Sequence, residues 1–461
     1  MEIYKQIITN SKQYTKNLVV IAIVLMIASI IINALKGRKK KNKFVKTTLP
    51  FIHPPIGTII FGKASFHRLV YCSSHEGHIN IVGSSGSGKT QAVILPALNN
   101  NLGSGSKQTN VFCIDISGDI EKGTNMSKKL VYEPDGKASN PYNVFWEIDQ
   151  LFASGKVNEV QEALEKLGYI LVPPVNGDSS SVYFSSGARS ILIGALVALY
   201  SPEMDFVDIV DIIVTNGYEK LFKRISESQK GKAWVSQFEK NNPANIAGCY
   251  QNLVEKLLLF RSPIIRKNLR RPLKGEIDIY PERLEEYSVF LNVPDNKLDI
   301  YQPLVNLVCS QVMAYCSNRD LRLAREKELW IVLDEFSSLG RLMDIQDSAR
   351  KYRKRGVRLI IAYQSYSDIQ ELYGVTGSRS LLNNFRYTLI LNAIDTETSR
   401  ILADLIGHDP DQKKKANAEW LIAPEDLSTL DLTDELVLIS PSGYKILKKN
   451  FWYKKWNRIY I

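Results

Sequence analysis

Cysteine is scarce, with five in 461 residues and no two of them spaced Cys-x-x-Cys. The odd number and the wide spacing argue against a disulfide framework and for free thiols in a reducing compartment. Histidine is equally scarce. Cys72, His75 and His78 are spaced like part of a metal site, but no fourth ligand accompanies them and His78 abuts an apolar run, so no zinc centre is expected. Acidic residues are in deficit, 48 against 59 Lys and Arg, which leaves a formal charge of +11. Such an excess favours an anionic partner, either nucleic acid or a lipid surface.

Long apolar stretches are absent apart from one. Residues 18–35 contain only Ser29 and Asn33 as polar members, and at 1.5 Å per residue such a helix just crosses a bilayer core of about 30 Å. Lys36, Arg38, Lys39, Lys40, Lys41 and Lys43 follow it, more densely than Lys5, Lys12 and Lys16 precede it. That asymmetry predicts a short extracytoplasmic N-terminus (1–17), one transmembrane helix (18–35) and a cytoplasmic remainder. A cleaved signal peptide fits less well, because the run is long, no small-residue cleavage site follows and the cations lie on the wrong side. A basic juxtamembrane linker with Pro50, Pro54 and Pro55 would occupy 36–55.

What is present is organised around His78-Ile79-Asn80-Ile81-Val82-Gly83-Ser84-Ser85-Gly86-Ser87-Gly88-Lys89-Thr90. An apolar strand breaks at Gly83 into a small-residue turn, and Lys89-Thr90 open an apolar helix. Gly83, Gly88, Lys89 and Thr90 match G-x-x-x-x-G-K-[ST], with strand before and helix after as phosphate binding requires. Backbone N–H groups from Gly83 through Thr90, with Ser84, Ser85, Gly86 and Ser87 between, would curl around phosphate oxygens. Lys89 would reach the β- and γ-phosphates, and the Thr90 hydroxyl would ligate Mg2+.

The remaining pattern alternates strand and helix. Residues 56–62 and 69–72 read as short strands, and 111–115 as a buried strand ending at Asp115. Residues 329–333 form an apolar strand closing on Asp334-Glu335, which would place Asp334 beside Mg2+ and Glu335 as the base for attacking water. Strand 358–363 ends at Gln364, where a side chain can sense the γ-phosphate. The tail 445–461 reads as a terminal edge strand with lysines on its wet face. The predicted fold is therefore α/β, with a phosphate-loop nucleotide-binding domain in two parts, 56–150 and 281–461, around an all-helical insertion at 151–280. Between Gly217 and Gly275 thirteen cations face four acids, a surplus of nine, the electrostatic footprint of a phosphate-backbone binder.

With both motifs in view, the chain resembles the type IV secretion coupling proteins, the TraG-like family of conjugative DNA-transfer ATPases. The resemblance is carried by 78–98 with its Ile94-Leu95-Pro96, by Leu333-Asp334-Glu335-Phe336-Ser337-Ser338-Leu339-Gly340-Arg341-Leu342, by Gln364-Ser365 and Glu371-Leu372-Tyr373-Gly374, and by Asn140-Pro141. It implies that the two-part nucleotide-binding domain is a RecA-like motor carrying the all-helical insertion, and that six copies form a homo-hexameric ring on the inner face of the cell membrane. That ring would couple ATP hydrolysis, with Mg2+, to moving single-stranded DNA and its relaxase into the secretion channel. An arginine would act across the subunit boundary; by position that is Arg353, with Arg355 beside it. The family usually has two membrane helices and ends its second motor strand Asp-x-Lys-Gly-Glu, whereas this chain offers one apolar run and Asp115-Ile116-Ser117-Gly118-Asp119. A related DNA or protein-export motor and a nucleotide-gated cargo adaptor are the alternative readings. ABC-type transport is disfavoured by the absence of Leu-Ser-Gly-Gly-Gln.

Overall fold

A computed structural model describes residues 45–72, 77–100, 109–175, 177–342, 345–408 and 419–453. The predicted membrane helix and its basic flank, His75, and the tail beyond Tyr453 lie outside the described residues. The chain divides into Met1–Lys46 and Thr47–Ile461. Strand β1 (Lys46–Thr47) lies at that boundary, and the fold below is that of the second unit.

Its frame is one mixed sheet. The strands are β2 (Ile59–Ala64), β3 (Arg68–Cys72), β4 (His78–Val82), β5 (Asn110–Asp115), β6 (Lys129–Tyr132), β7 (Ser288–Asn292), β8 (Leu329–Leu333), β9 (Val357–Tyr363), β10 (Phe385–Ile390), β11 (Glu435–Ser440) and β12 (Gly443–Lys448), in the spatial order β3-β2-β12-β11-β10-β4-β9-β8-β5-β7-β6. From β10 to β6 every neighbouring pair is parallel. From β10 outward to β3 every pair is antiparallel. The central strands β4, β5, β7, β8 and β9 are buried at every position, because parallel strands are joined by helices that cover both faces. That burial is why they read in sequence as unbroken apolar runs.

The order has one consequence for function. β9 lies between the phosphate-loop strand β4 and the acidic strand β8, so the ends of all three open onto one crevice, where ligands of doubly wound sheets gather.

Between β6 and β7 the described residues form helices and irregular chain. The long members are Val157–Leu171, Ser179–Leu199, Phe206–Ser226 and Pro243–Leu257. Helix Ser179–Leu199 is long and apolar enough to cross a membrane by length and composition. Here it is a core element instead, with Ala188, Ile191, Leu192, Ile193, Ala195 and Leu196 fully buried. One continuous buried cluster runs from these helices into the sheet.

Several local expectations shift. The strand expected at 56–62 begins only at Ile59, because Thr58 turns back to bond the Pro55 carbonyl through its hydroxyl at 2.7 Å. The helix after the loop opens with a π-helical stretch, Lys89–Ile94, before continuing as Leu95–Asn100. The terminal strand β12 is not an edge strand: it is inserted between β11 and β2. Its flanking partner β2 comes from nearly 400 residues upstream, a pairing that no local pattern announces. Four-residue β6 is likewise invisible in the pattern.

Candidate functional site

The loop's conformation follows from its small residues. A Cβ on Gly83 would stand 2.4 Å from the Ser87 hydroxyl, and Gly88 takes φ 96° at the start of the helix, a backbone region that favours glycine. The loop is pinned to two neighbouring strands. Gly83 N–H donates to the Tyr363 carbonyl of β9 at 3.1 Å. On the other side, Ser84 N–H donates to Asn392 Oδ1 and Asn392 Nδ2 to the Ser84 hydroxyl, both at 2.7 Å.

Five side chains predicted from sequence converge here. Lys89 Nζ donates to the carbonyls of Gly83 (2.8 Å) and Ser84 (3.3 Å) and lies 2.9 Å from Glu335 Oε1. Thr90 Oγ1 donates to Asp334 Oδ2 at 3.4 Å, and Gln364 Nε2 to Glu335 Oε2 at 3.1 Å. Glu335 itself has φ 51°, a left-handed conformation uncommon outside glycine that turns the chain sharply off β8. These groups line one cavity of about 420 Å³ that also takes in Ser84, Ser85, Gly86, Gly88, Gln91, Ser117, Asp119 and Ser338.

Electrostatically the site is under-satisfied. Asp334 is 4% exposed and its Oδ1 has no hydrogen-bond partner among the described residues; the Ser87 hydroxyl is buried in the same condition. Burial first, and the adjacent Glu335 second, push the Asp334 carboxyl up to about 7, against the pull of Lys89 and Thr90. A buried carboxylate oxygen facing a threonine hydroxyl suits a hard divalent cation with oxygen ligands, so Thr90 and Asp334 fit Mg2+. Asp115, where the resembled pattern has a lysine two residues on, is occupied locally. Its oxygens accept the N–H groups of Gly118 and Glu121, both at 2.8 Å, and the Ser117 hydroxyl at 3.2 Å.

Arg353 is not brought to this cavity. It is exposed and begins the turn Arg353–Arg355 just before β9, whereas Gln364 follows that strand's other end. Seven residues at about 3.3 Å each separate the two by roughly 20 Å. There Arg353 lines a second cavity, of about 410 Å³, with His78, Arg325, Glu328 and Arg358. Arg355 turns inward: its Nη1 donates to the Arg319 carbonyl at 2.8 Å, while Arg319 Nη1 donates to the Arg355 carbonyl at 3.0 Å. His78 is structural. Its Nδ1 accepts Leu359 N–H at 3.0 Å, so Nε2 carries the proton and donates to the Ala349 carbonyl at 2.8 Å.

Sequence reasoning missed a second set of contacts on the loop. Asn392 follows β10, and Asp431 bonds both Asn392 Nδ2 and the buried Lys449 Nζ. Trp452 N–H donates to the Gln91 carbonyl at 2.7 Å. An Asn just beyond a strand is a signal only once that strand is known to neighbour β4. Tyr373 was also missed as a support. Its hydroxyl accepts Leu342 N–H at 3.0 Å and its ring stacks on Phe336 at 5.8 Å, so two of the stretches that carry the family resemblance touch each other.

The profile of the family described as Type IV secretory system conjugative DNA transfer matches residues 31–459. Protein VirD4 of Agrobacterium fabrum is 22% identical over 428 residues, covering 86% of this chain and 62% of its own length. The type IV secretion system-coupling protein VirD4 of Bartonella quintana is 20% identical over 393 residues, covering 78% and 57%. The chain thus spans about three fifths of the length of these relatives. Among solved structures, plasmid coupling protein TrwB in complex with the non-hydrolysable GTP analogue GDPNP aligns with TM-score 0.65 at 18% identity, over 82% of this chain and 87% of that one. TrwB in complex with ADP and Mg2+ aligns with TM-score 0.63 at 18% identity, over 81% and 85%.

Proposed function

The chain belongs to the Type IV secretory system conjugative DNA transfer family, and from that membership we propose that it is a membrane-anchored, ATP-driven coupling protein. It delivers single-stranded DNA with its relaxase to a secretion channel, working as a homo-hexamer with its bulk in the cytoplasm. The observation that carries the reading is the convergence of Lys89, Thr90, Asp334, Glu335 and Gln364 on one cavity. Nucleotides and Mg2+ bound to the TrwB structures and the orphaned Asp334 oxygen support ATP and Mg2+ as the ligands.

Each residue has a task. Loop N–H groups and Lys89 hold the phosphates. Thr90 and Asp334 hold Mg2+, which supplies neutralisation of the charge on the phosphoryl oxygens. Lys89 here grips Glu335; a triphosphate competes for the ammonium and frees the carboxylate to take a proton from water, with Gln364 orienting it. Arg353, remote from its own chain's cavity, serves a neighbour's site in the ring.

The test is ATP turnover by the chain with and without single-stranded DNA, alongside a DNA-transfer assay of Lys89→Ala. Stimulation by DNA and loss of transfer are expected. DNA-indifferent turnover together with intact transfer by Lys89→Ala would favour a cargo adaptor.

A further inference from the structure

We infer that the segment Phe451–Tyr453 seats the base of the bound nucleotide, with Tyr453 as the ring on which it stacks. This rests on the triphosphate reading of the site above. The order β10-β4-β9-β8 fixes which end of a triphosphate goes where. Glu335 and Gln364, the groups that meet the terminal phosphate, follow β8 and β9, on one side of β4. Phosphates laid along the loop therefore run back toward the opposite side, next to β10, and there the sugar and base emerge.

That side is occupied by the chain leaving β12, and the chain is fastened to the loop at successive points. Lys449, 6% exposed, is held by Asp431, which holds Asn392, which in turn grips both the backbone and the hydroxyl of Ser84. Two residues on, the Phe451 ring fills the space over Gly88, where a Cβ would come within 2.8 Å of it. Trp452 N–H then bonds the carbonyl of Gln91, a residue that lines the nucleotide cavity. Tyr453 comes next, its ring 5.2 Å from that of Phe451 and 53% exposed. A buried polar anchor and two packed aromatics thus hold up an open aromatic ring beside the loop. A flat ring fixed in that way recognises another flat ring by stacking.

Base–aromatic stacking lost to alanine weakens binding by about 5- to 150-fold. The experiment titrates the full-length chain with ATP and, separately, with inorganic tripolyphosphate, which has the phosphates and no base, for wild type, Tyr453→Ala and Tyr453→Phe. Tyr453→Ala is expected to weaken ATP at least fivefold and leave tripolyphosphate unchanged, with Tyr453→Phe restoring ATP affinity. Equal loss for both ligands, or no loss for either, overturns the assignment. A wild-type chain that binds neither ligand overturns the phosphate-site reading itself, a separate failure.

Discussion

In the proposed reading Glu335 is asked to do one thing that its neighbour Asp334 cannot, which is to accept a proton from water in the transition state. The two carboxylates differ in environment: Asp334 is buried against Thr90, while Glu335 stands partly open between Lys89 and Gln364. Glu335→Gln keeps the size and the hydrogen bond from Gln364 but removes the base. It should retain nucleotide binding and lose turnover by about 10²- to 10⁴-fold, read by steady-state ATPase rate beside an equilibrium binding curve. His78 makes a prediction of a different kind. Burial lowers its pKa from 6.5 to about 4, so the folded chain resists a proton that the unfolded chain accepts. Stability is whole above pH 6.5 and falls as pH drops from about 6.5 toward 4, by about 2 kcal/mol at pH 5. Unfolding free energies from urea titrations at pH 7.5 and pH 5 check this, and His78→Gln should reduce the difference between them by that amount.

At the scale of elements, the turn Arg353–Arg355 is held by a buried arginine and its partly covered carboxylate partner. Arg319, with 1% of its surface exposed, donates to both oxygens of Glu285 (2.7 and 2.9 Å) and to the carbonyl of Arg355. Removing one partner leaves a charge buried alone, which costs about 3–5 kcal/mol. Glu285→Ala should therefore lower the thermal midpoint sharply in calorimetry, whereas Arg353→Ala, at an exposed position, should leave the midpoint in place and reduce ATP turnover. This contrast marks what sequence could reveal. The strands β4, β5, β8 and β9 and the residues at their ends were legible because parallel strands buried on both faces leave apolar runs, and a chain must turn where those runs stop. The Arg319–Glu285 pair, the interior place of β12 and the Asn392–Asp431–Lys449 linkage were not, because each depends on segments distant in sequence being neighbours in space. Glu285 and Arg319 look in sequence like any solvated charges.

For the whole molecule the same limit applies to charge. The thirteen cations between Gly217 and Gly275 read as one basic field, but folding commits part of it to internal pairing. Arg261 lies 3.5 Å from Asp211, Arg266 bonds Asp208 at 2.9 Å, Arg270 bonds Glu276 at 2.7 Å, and Arg271 bonds Asp149 at 2.6 Å while covering the Phe145 ring. All these acids lie outside the counted window, so the surplus of nine overstates what a polyanion meets. The cations left on the surface concentrate at the end of helix Phe206–Ser226 and in helix Gln229–Val235, where Lys220, Lys223, Arg224, Lys230 and Lys232 are exposed. A DNA backbone bound there releases one counterion for each phosphate neutralised, which sets the salt dependence. Replacing Lys223, Arg224, Lys230 and Lys232 with Gln should weaken single-stranded DNA binding and flatten the plot of log affinity against log salt by about 0.7 for each phosphate that is no longer neutralised. The thermal midpoint should not move. Arg271→Ala should do the reverse, lowering the midpoint and leaving the salt slope as it was. If the two variants exchange behaviours, with the surface set unfolding the chain and Arg271 controlling the slope, then the DNA path lies along the paired arginines and not along these helices.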